Sequence, residues 1–185
     1  EKIWGYEKWL VSTHAAGKAR VAQETEFIGG KDLSRIIGED YPLLVKLIQA
    51  DETLSVQVHP DDEYARDEES SSGKTECWYI LDAAEGASLI CGFQKDYTPE
   101  ELHRAVEENN VASCLREIPV KKGDFVYIPS GMAHAIKSGI RLLEVQQPCD
   151  ITYRLHDWGR AREIHVEKAL KAVKNLYSEA EKPFS

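Results

Sequence analysis

Four residues combine metal-ligand chemistry with strand-like positions: Gln57, His59, Glu76 and His134. Two imidazoles, a carboxylate and an amide oxygen make a nitrogen–oxygen donor set for a divalent first-row metal, with zinc first and manganese, iron or cobalt as alternatives. Gln57 and His59 lie in the stretch Leu54-Ser55-Val56-Gln57-Val58-His59-Pro60. There Leu54, Val56 and Val58 alternate onto one face, and a period of two puts the amide and the imidazole together on the other. A strand patterned this way is at the surface or lines a pocket. Glutamine is an uncommon zinc ligand, so on residue types alone an ordinary packing or surface role competes with the metal reading. His103 and His165 fall on predicted helices and read as surface or packing residues, and neither His14 nor His156 is assigned as a ligand.

Three charged residues accompany these. Lys74 lies two before Glu76, so strand parity puts both on one face, and Arg154 shares a face with Thr152. Read alone, either cation is surface charge. Glu144 interrupts an apolar run between Leu143 and Val145 and shares a face with Leu142 and Gln146. Burial would raise its pKa and suit it to move a proton, while a structural carboxylate satisfied by neighbouring donors is the competing role.

The elements that must position these side chains are mostly short strands. His134 is delivered by Gly123-Asp124, the run Phe125 to Ile128, and the turn Pro129-Ser130-Gly131. Further strands are predicted over 3–12, 43–48, 53–60, 75–81, 87–93, 116–120, 133–136, 141–147 and 151–156, with 43–48 apolar enough to be covered on both faces. Residues 61–74 read as one turn of helix and a mobile loop. A short helix is predicted from Asp32 to Ile37, closed by Gly38. Thr98-Pro99-Glu100-Glu101 carries the clearest helix start, with an N-cap, a proline at the first helical position and a capping box. Val166, Ala169, Leu170, Val173 and Leu176 fall at helical spacing and predict a closing amphipathic helix. Many short strands with few helices argue a β-sandwich or barrel.

Composition narrows the function. The net charge of −9 is spread along the chain with no basic cluster, which argues against a nucleic-acid or anionic-membrane partner. An anionic substrate would need locally placed Lys or Arg. No apolar run reaches membrane-span length and no secretory signal opens the sequence. Cys77, Cys91, Cys114 and Cys149 show no metal spacing and read as reduced thiols of a cytoplasmic protein.

The pattern Gly123, Pro129, Gly131 and His134 resembles the second motif of cupins, and implies an all-β-dominated double-stranded β-helix, a jelly-roll barrel with a few peripheral helices. Three further stretches, Ser55 to Pro60, Gly73 to Ile80 and Asp150 to Trp158, together resemble type I mannose-6-phosphate isomerases of the short bacterial kind. Lys2-Ile3-Trp4-Gly5 and the tail from His165 to Leu170 also fit. The resemblance implies one zinc ion held by Gln57, His59, Glu76 and His134, with Arg154, Lys74 and Glu144 as catalytic residues. It further implies interconversion of mannose 6-phosphate and fructose 6-phosphate through a cis-enediol(ate), with no fixed expectation for oligomeric state. A non-haem oxygenase and a non-catalytic sugar-phosphate-binding cupin are the rival readings. The expected organisation is a barrel over 1–160 and a helical extension of the same domain over 161–185. The second, smaller β domain usual in the family is expected to be absent.

Overall fold

The computed structural model describes residues 2–23 and 25–174 of the 185-residue chain. Ten strands form two antiparallel five-stranded sheets among the described residues. The first sheet contains β1 (Gly5–Val11), β2 (Leu44–Ala50), β4 (Glu76–Ala83), β7 (Phe125–Ile128) and β9 (Ile140–Gln146), in the order β1-β2-β9-β4-β7. The second contains β3 (Val56–Val58), β5 (Ser88–Phe93), β6 (Leu115–Pro119), β8 (His134–Ile136) and β10 (Tyr153–His156), in the order β10-β3-β8-β5-β6. Four helices decorate them: α1 (Ser34–Ile37), α2 (Asp62–Glu69), α3 (Pro99–Glu107) and α4 (Val166–Ala172). This is the expected cupin jelly roll with peripheral helices.

Two apolar clusters explain how the second sheet is held. One fills the space between the sheets and includes Ile48, Trp78, Ile80, Leu89, Ile128, Ile136 and Leu142. The other joins the outer face of the second sheet to α3 and α4, and includes Val56, Val58, Ala133, Ala135, Leu155, Leu102 and Ala169. Each fully buried Leu, Ile or Val contributes about 1.5–3 kcal/mol relative to exposure. The alternation in β3 therefore has a definite meaning: its valines face the helices, and Gln57 faces the barrel interior.

Several elements differ from the sequence-based expectation. The α2 segment makes two helical turns where one was predicted, because Asp61 caps it by accepting from the Tyr64 N–H at 2.8 Å. The β2 strand is not covered on both faces. Leu44, Lys46, Ile48 and Ala50 are buried on the inner side while Val45, Leu47 and Gln49 remain half-exposed. The closing helix ends at Ala172 with Val173 already extended, and Leu176 lies outside the described residues. A 3₁₀ turn over Val111–Cys114 carried no clear sequence signal.

The α3 start is as expected, with Thr98 and Glu101 exchanging side-chain and backbone hydrogen bonds at 3.2 and 2.8 Å. Thr98→Ala is expected to lower stability by about 1 kcal/mol, read as a shift in the denaturant midpoint without change in slope.

Candidate metal centre and adjoining pocket

The turn that delivers His134 is fixed from three sides. Gly131 adopts φ +86°, a left-handed conformation that glycine takes without strain. Its N–H donates to His59 O at 2.8 Å, and its own carbonyl accepts from Lys174 N–H at 2.9 Å. One glycine thus ties together the ends of two ligand-bearing segments and the end of α4. His134 pairs in register with Gln57 on β3 and with Cys91 on β5. Glu76 opens β4 on the facing sheet, opposite Gln146 and Ile128.

His59, Glu76 and His134 meet inside the barrel, all about 1% exposed, with ligand-type atoms within 4.8 Å of one another. The two imidazoles have the same internal arrangement. His59 Nδ1 lies 2.9 Å from the carbonyl of Ile151, and His134 Nδ1 lies 2.8 Å from that of Met132. A carbonyl only accepts, so Nδ1 carries the proton in each ring and Nε2 presents a lone pair. Both Nε2 atoms and both Glu76 oxygens are buried with no well-oriented hydrogen-bond partner among the described residues, although His59 Nε2 is 3.2 Å from Glu76 Oε1. Four acceptor atoms turned toward one another match what a cation requires. Trp78 packs edge-on against His134, its ring 5.6 Å away, and limits the rotation of that imidazole.

The electrostatics agree with the tautomers. Burial first, and then the ammonium of Lys74, push His59 down to about 3. Burial likewise lowers His134 despite the neighbouring Glu76 carboxylate. For Glu76, burial opposes ionisation, but the ammonium of Lys74 outweighs it and holds the carboxyl well below its usual range. Lys74 Nζ sits 2.9 Å from Glu76 Oε1. The cluster is therefore one carboxylate with two neutral imidazoles, the protonation state that binds metal.

Beside the cluster lies a pocket of about 300 Å³, lined by Gln57, Lys74, Glu144, Thr152 and Arg154 among others. Gln57 is half-buried and paired in register with Arg154 as well as His134, so the amide stands between guanidinium and imidazole on the inner face. Arg154 is held by its Nη1, which donates to Glu163 O at 2.6 Å. All seven residues picked out from the sequence thus lie at this cluster and its pocket.

Two polar residues of the site escaped the sequence reading. Lys46 is directly opposite Glu144 across β2 and β9, its Nζ 2.9 Å from Glu144 Oε1, and it also donates to Gln146 Oε1. Gln146 is oriented by donating through Nε2 to the carbonyls of Gln147 and Cys149, at 2.9 and 2.6 Å. The signal for Lys46 was a lone lysine inside an apolar run, which reads as an interruption until the facing strand is known. Across β9, Trp78 Nε1 donates to Glu144 Oε2 at 3.1 Å. Burial and the nearby Glu76 charge raise Glu144, against the opposing pull of Lys46 and Lys74.

The four cysteines are free, and burial pushes Cys91 up to about 12, which leaves it an inert thiol. Among the described residues no helix is long and apolar enough to cross a membrane.

A cupin barrel with two histidines and a carboxylate converging inside it, and a cation-lined pocket at its side, has the make-up of a cupin with a candidate metal centre. Residues 5–86 match the family model for the catalytic domain of type I phosphomannose isomerase. The chain is 42% identical over 185 residues to the probable mannose-6-phosphate isomerase GmuF of Bacillus subtilis, covering 90% of this chain and 58% of that protein. It is 40% identical over 187 residues to the mannose-6-phosphate isomerase of Streptococcus mutans, covering 90% and 57% respectively. The crystal structure of the mannose 6-phosphate isomerase from Bacillus subtilis superposes with a TM-score of 0.86 at 37% identity, over 94% of this chain and 66% of that one. The chain belongs to the type I mannose-6-phosphate isomerase family. It spans a little over half the length of the curated relatives it matches, at 58% and 57%.

Proposed function

We propose that this chain carries the catalytic site of a metal-dependent aldose–ketose isomerase that interconverts mannose 6-phosphate and fructose 6-phosphate. The observation that carries the reading is the convergence of the His59 and His134 Nε2 atoms on the buried Glu76 carboxylate next to a pocket supplied with cations. Gln57, on β3 two residues before His59, completes the donor set in this reading. Zinc suits this nitrogen–oxygen set, held as one ion per chain, and when bound it supplies Lewis-acid polarisation of the sugar oxygens.

The chain's own residues do the rest. A proton moves between C1 and C2 of the open-chain sugar by way of a cis-enediol(ate). Glu144 is the group assigned to carry it, because burial brings its pKa up toward the working range and Lys46 and Trp78 fix both of its oxygens. Arg154 presents a fixed guanidinium to the oxygen where negative charge develops. Lys74 holds Glu76 ionised and adds positive charge at the same wall. Burial of the cluster excludes bulk water from the enediolate. The domain organisation fits the same reading, with the barrel over 1–160 supplying the site and α4 belonging to a C-terminal extension of that unit. The free, largely buried thiols fit a reducing, cytoplasmic setting.

The neighbours of Glu76 weigh against an oxygenase, whose chemistry has no need of Lys74 and Arg154 beside the metal. A non-catalytic sugar-phosphate binder would not need the buried Lys46–Glu144 pair. The test is direct: the zinc-loaded chain is incubated with mannose 6-phosphate and assayed for fructose 6-phosphate, with a chelator control. Absence of product from a folded, fully metallated sample sinks the reading. Arg154→Ala is expected to retain zinc and lose turnover by about 10²–10³-fold, since its role resembles that of an oxyanion donor. Full turnover in that variant would remove Arg154 from the mechanism.

A further inference from the structure

The first sheet has an outer face, turned away from the metal cluster, whose chemistry is the reverse of what water favours. An antiparallel sheet with one side solvated alternates apolar inward and polar outward. Here the inner positions of β2, β4 and β9 include Lys46, Glu76, Glu144 and Gln146, all buried. The outer positions carry aliphatic and aromatic side chains instead, and strand register sets them in two rows across all five strands. Val11, Val45, Val145, Cys77 and Tyr127 make one row, and Lys8, Leu47, Leu143, Tyr79 and Phe125 make the other. Tyr127, Tyr79 and Phe125 are 55%, 46% and 38% exposed. The outer face of the second sheet is covered by α3 and α4. No helix among the described residues packs comparably against the first.

A contiguous apolar surface of this extent marks a docking site. A third outward row, Tyr6, Gln49 and Arg141, gives it a polar margin, the make-up of an interface with an apolar core and a wet rim. Five strands at about 4.8 Å and three outward rows at about 6.8 Å span roughly 24 by 20 Å. That is about 500 Å² of flat area before side-chain relief is added, against about 800 Å² per partner in a standard interface. The face is large enough for a reversible complex and too apolar to be left in water.

The distribution of side chains selects the occupant. The central strand β9 divides the face into an aliphatic half, with Val11, Val45 and Leu47, and an aromatic half, with Tyr79, Phe125 and Tyr127. A twofold axis along β9 lays each half on the other, so rings meet aliphatic branches and only Leu143 and Val145 meet their own copies. Lys8 and Phe125 end one row at opposite edges of the sheet. The same operation therefore sets Lys8 of one copy over Phe125 of the other, and an ammonium over an aromatic face is attractive. Closed twofold symmetry uses one patch twice, and sheets stack face to face about 10 Å apart with strands about 30° off alignment. We propose that the outer face of the first sheet is the interface of a homodimer, with a second copy of this chain as its occupant. The metal clusters lie on the opposite faces of the two sheets, so the proposal stands apart from the isomerase reading.

The test reads mass and not turnover. In sedimentation equilibrium the chain is expected to pass from 20.9 kDa to twice that mass as its concentration rises. The midpoint should fall between about 1 and 100 μM, the weak end for an interface of this area. Added salt should tighten the dimer, because each copy carries a net charge of −9 and screening removes their repulsion. Tyr79→Glu and Tyr127→Glu, both at exposed positions, are each expected to weaken it by at least about 30-fold, since every change counts twice across a twofold. Phe125→Lys should weaken it similarly by setting two ammonium groups against each other. Combining Phe125→Lys with Lys8→Glu sets opposite charges across the contact and is expected to recover at least about tenfold. A parent chain that stays monomeric at the highest concentration overturns the proposal and leaves the face to a partner of another kind. Dimers untouched by Tyr79→Glu and Tyr127→Glu overturn the choice of face, and absence of recovery in the combined variant overturns the twofold along β9.

Discussion

His134→Ala is expected to bind zinc at least about 100-fold more weakly than the parent and to lose isomerisation in the same proportion. Even residues that only orient ligands cost 10–100-fold in metal affinity when changed, so removing a ligand sets that range as a floor. Among the described residues no further His, Cys, Asp or Glu joins His59, Glu76 and His134 in this cluster. Trp78 fills the space on one side of the ring, and His59 Nε2 and the Glu76 oxygens are already turned toward the cluster. Zinc content after dialysis, measured against circular dichroism to confirm folding, checks the result. His103→Ala is the control, because His103 is half-exposed on α3 and pairs, among the described residues, with Glu107 and Glu167 at 3.5 and 3.2 Å. A His134→Ala protein that retained stoichiometric zinc would remove that residue from the donor set.

Glu144→Gln separates chemistry from metal binding. The substitution keeps the shape and the hydrogen bond from Trp78 but removes the group that exchanges a proton. General acid–base catalysis contributes about 10²–10⁴-fold, so kcat is expected to fall by that factor while KM and zinc content stay close to the parent's. Folding should survive because Lys46 keeps Gln146 as an acceptor. The pH profile supplies a second readout. Burial raises Glu144 in the folded protein, so the parent's activity should decline on the acid side above the ordinary glutamate range, and the residual activity of the variant should lack that limb. A variant within about threefold of the parent in kcat would assign the proton to another group.

The turn from Gly123 to His134 was readable because its chemistry is local. Glycines that need positive φ, a proline and a short apolar run mark it in one dimension, and Gly131 does adopt φ +86°. The pairing of Gln57 with His59, and of Lys74 with Glu76, followed from strand parity alone. Identifying His59, Glu76 and His134 as one cluster needed more than parity, since they come from both sheets and the sequence does not encode which strands face each other. Lys46 shows the same gap. Its partner Glu144 is 98 positions away and was recognised as a buried acid, yet nothing in the run Leu43 to Ile48 says that its lysine turns inward. Asp157, Arg160 and Arg162 were given no role from the sequence, because their grouping depends on a loop that folds back on Thr53 and Leu54. Local capping at Asp61 and Thr98 was legible to different degrees, because only Thr98 is followed by the proline and glutamate that complete the signature.

The division of labour within β3 has a practical consequence. Val56 and Val58 anchor the strand beneath the helices, while Gln57 between them faces the interior. A pairing error of one residue would exchange the two sets, burying the amide against α4 and turning the valines toward the metal cluster. Such a misassembled molecule would retain nearly the same strand and helix content, and bulk spectroscopy would count it as native. It would hold no metal. On the proposed metal reading, bound zinc per chain would therefore serve as an inventory of correctly threaded molecules, and specific activity would be best normalised to it.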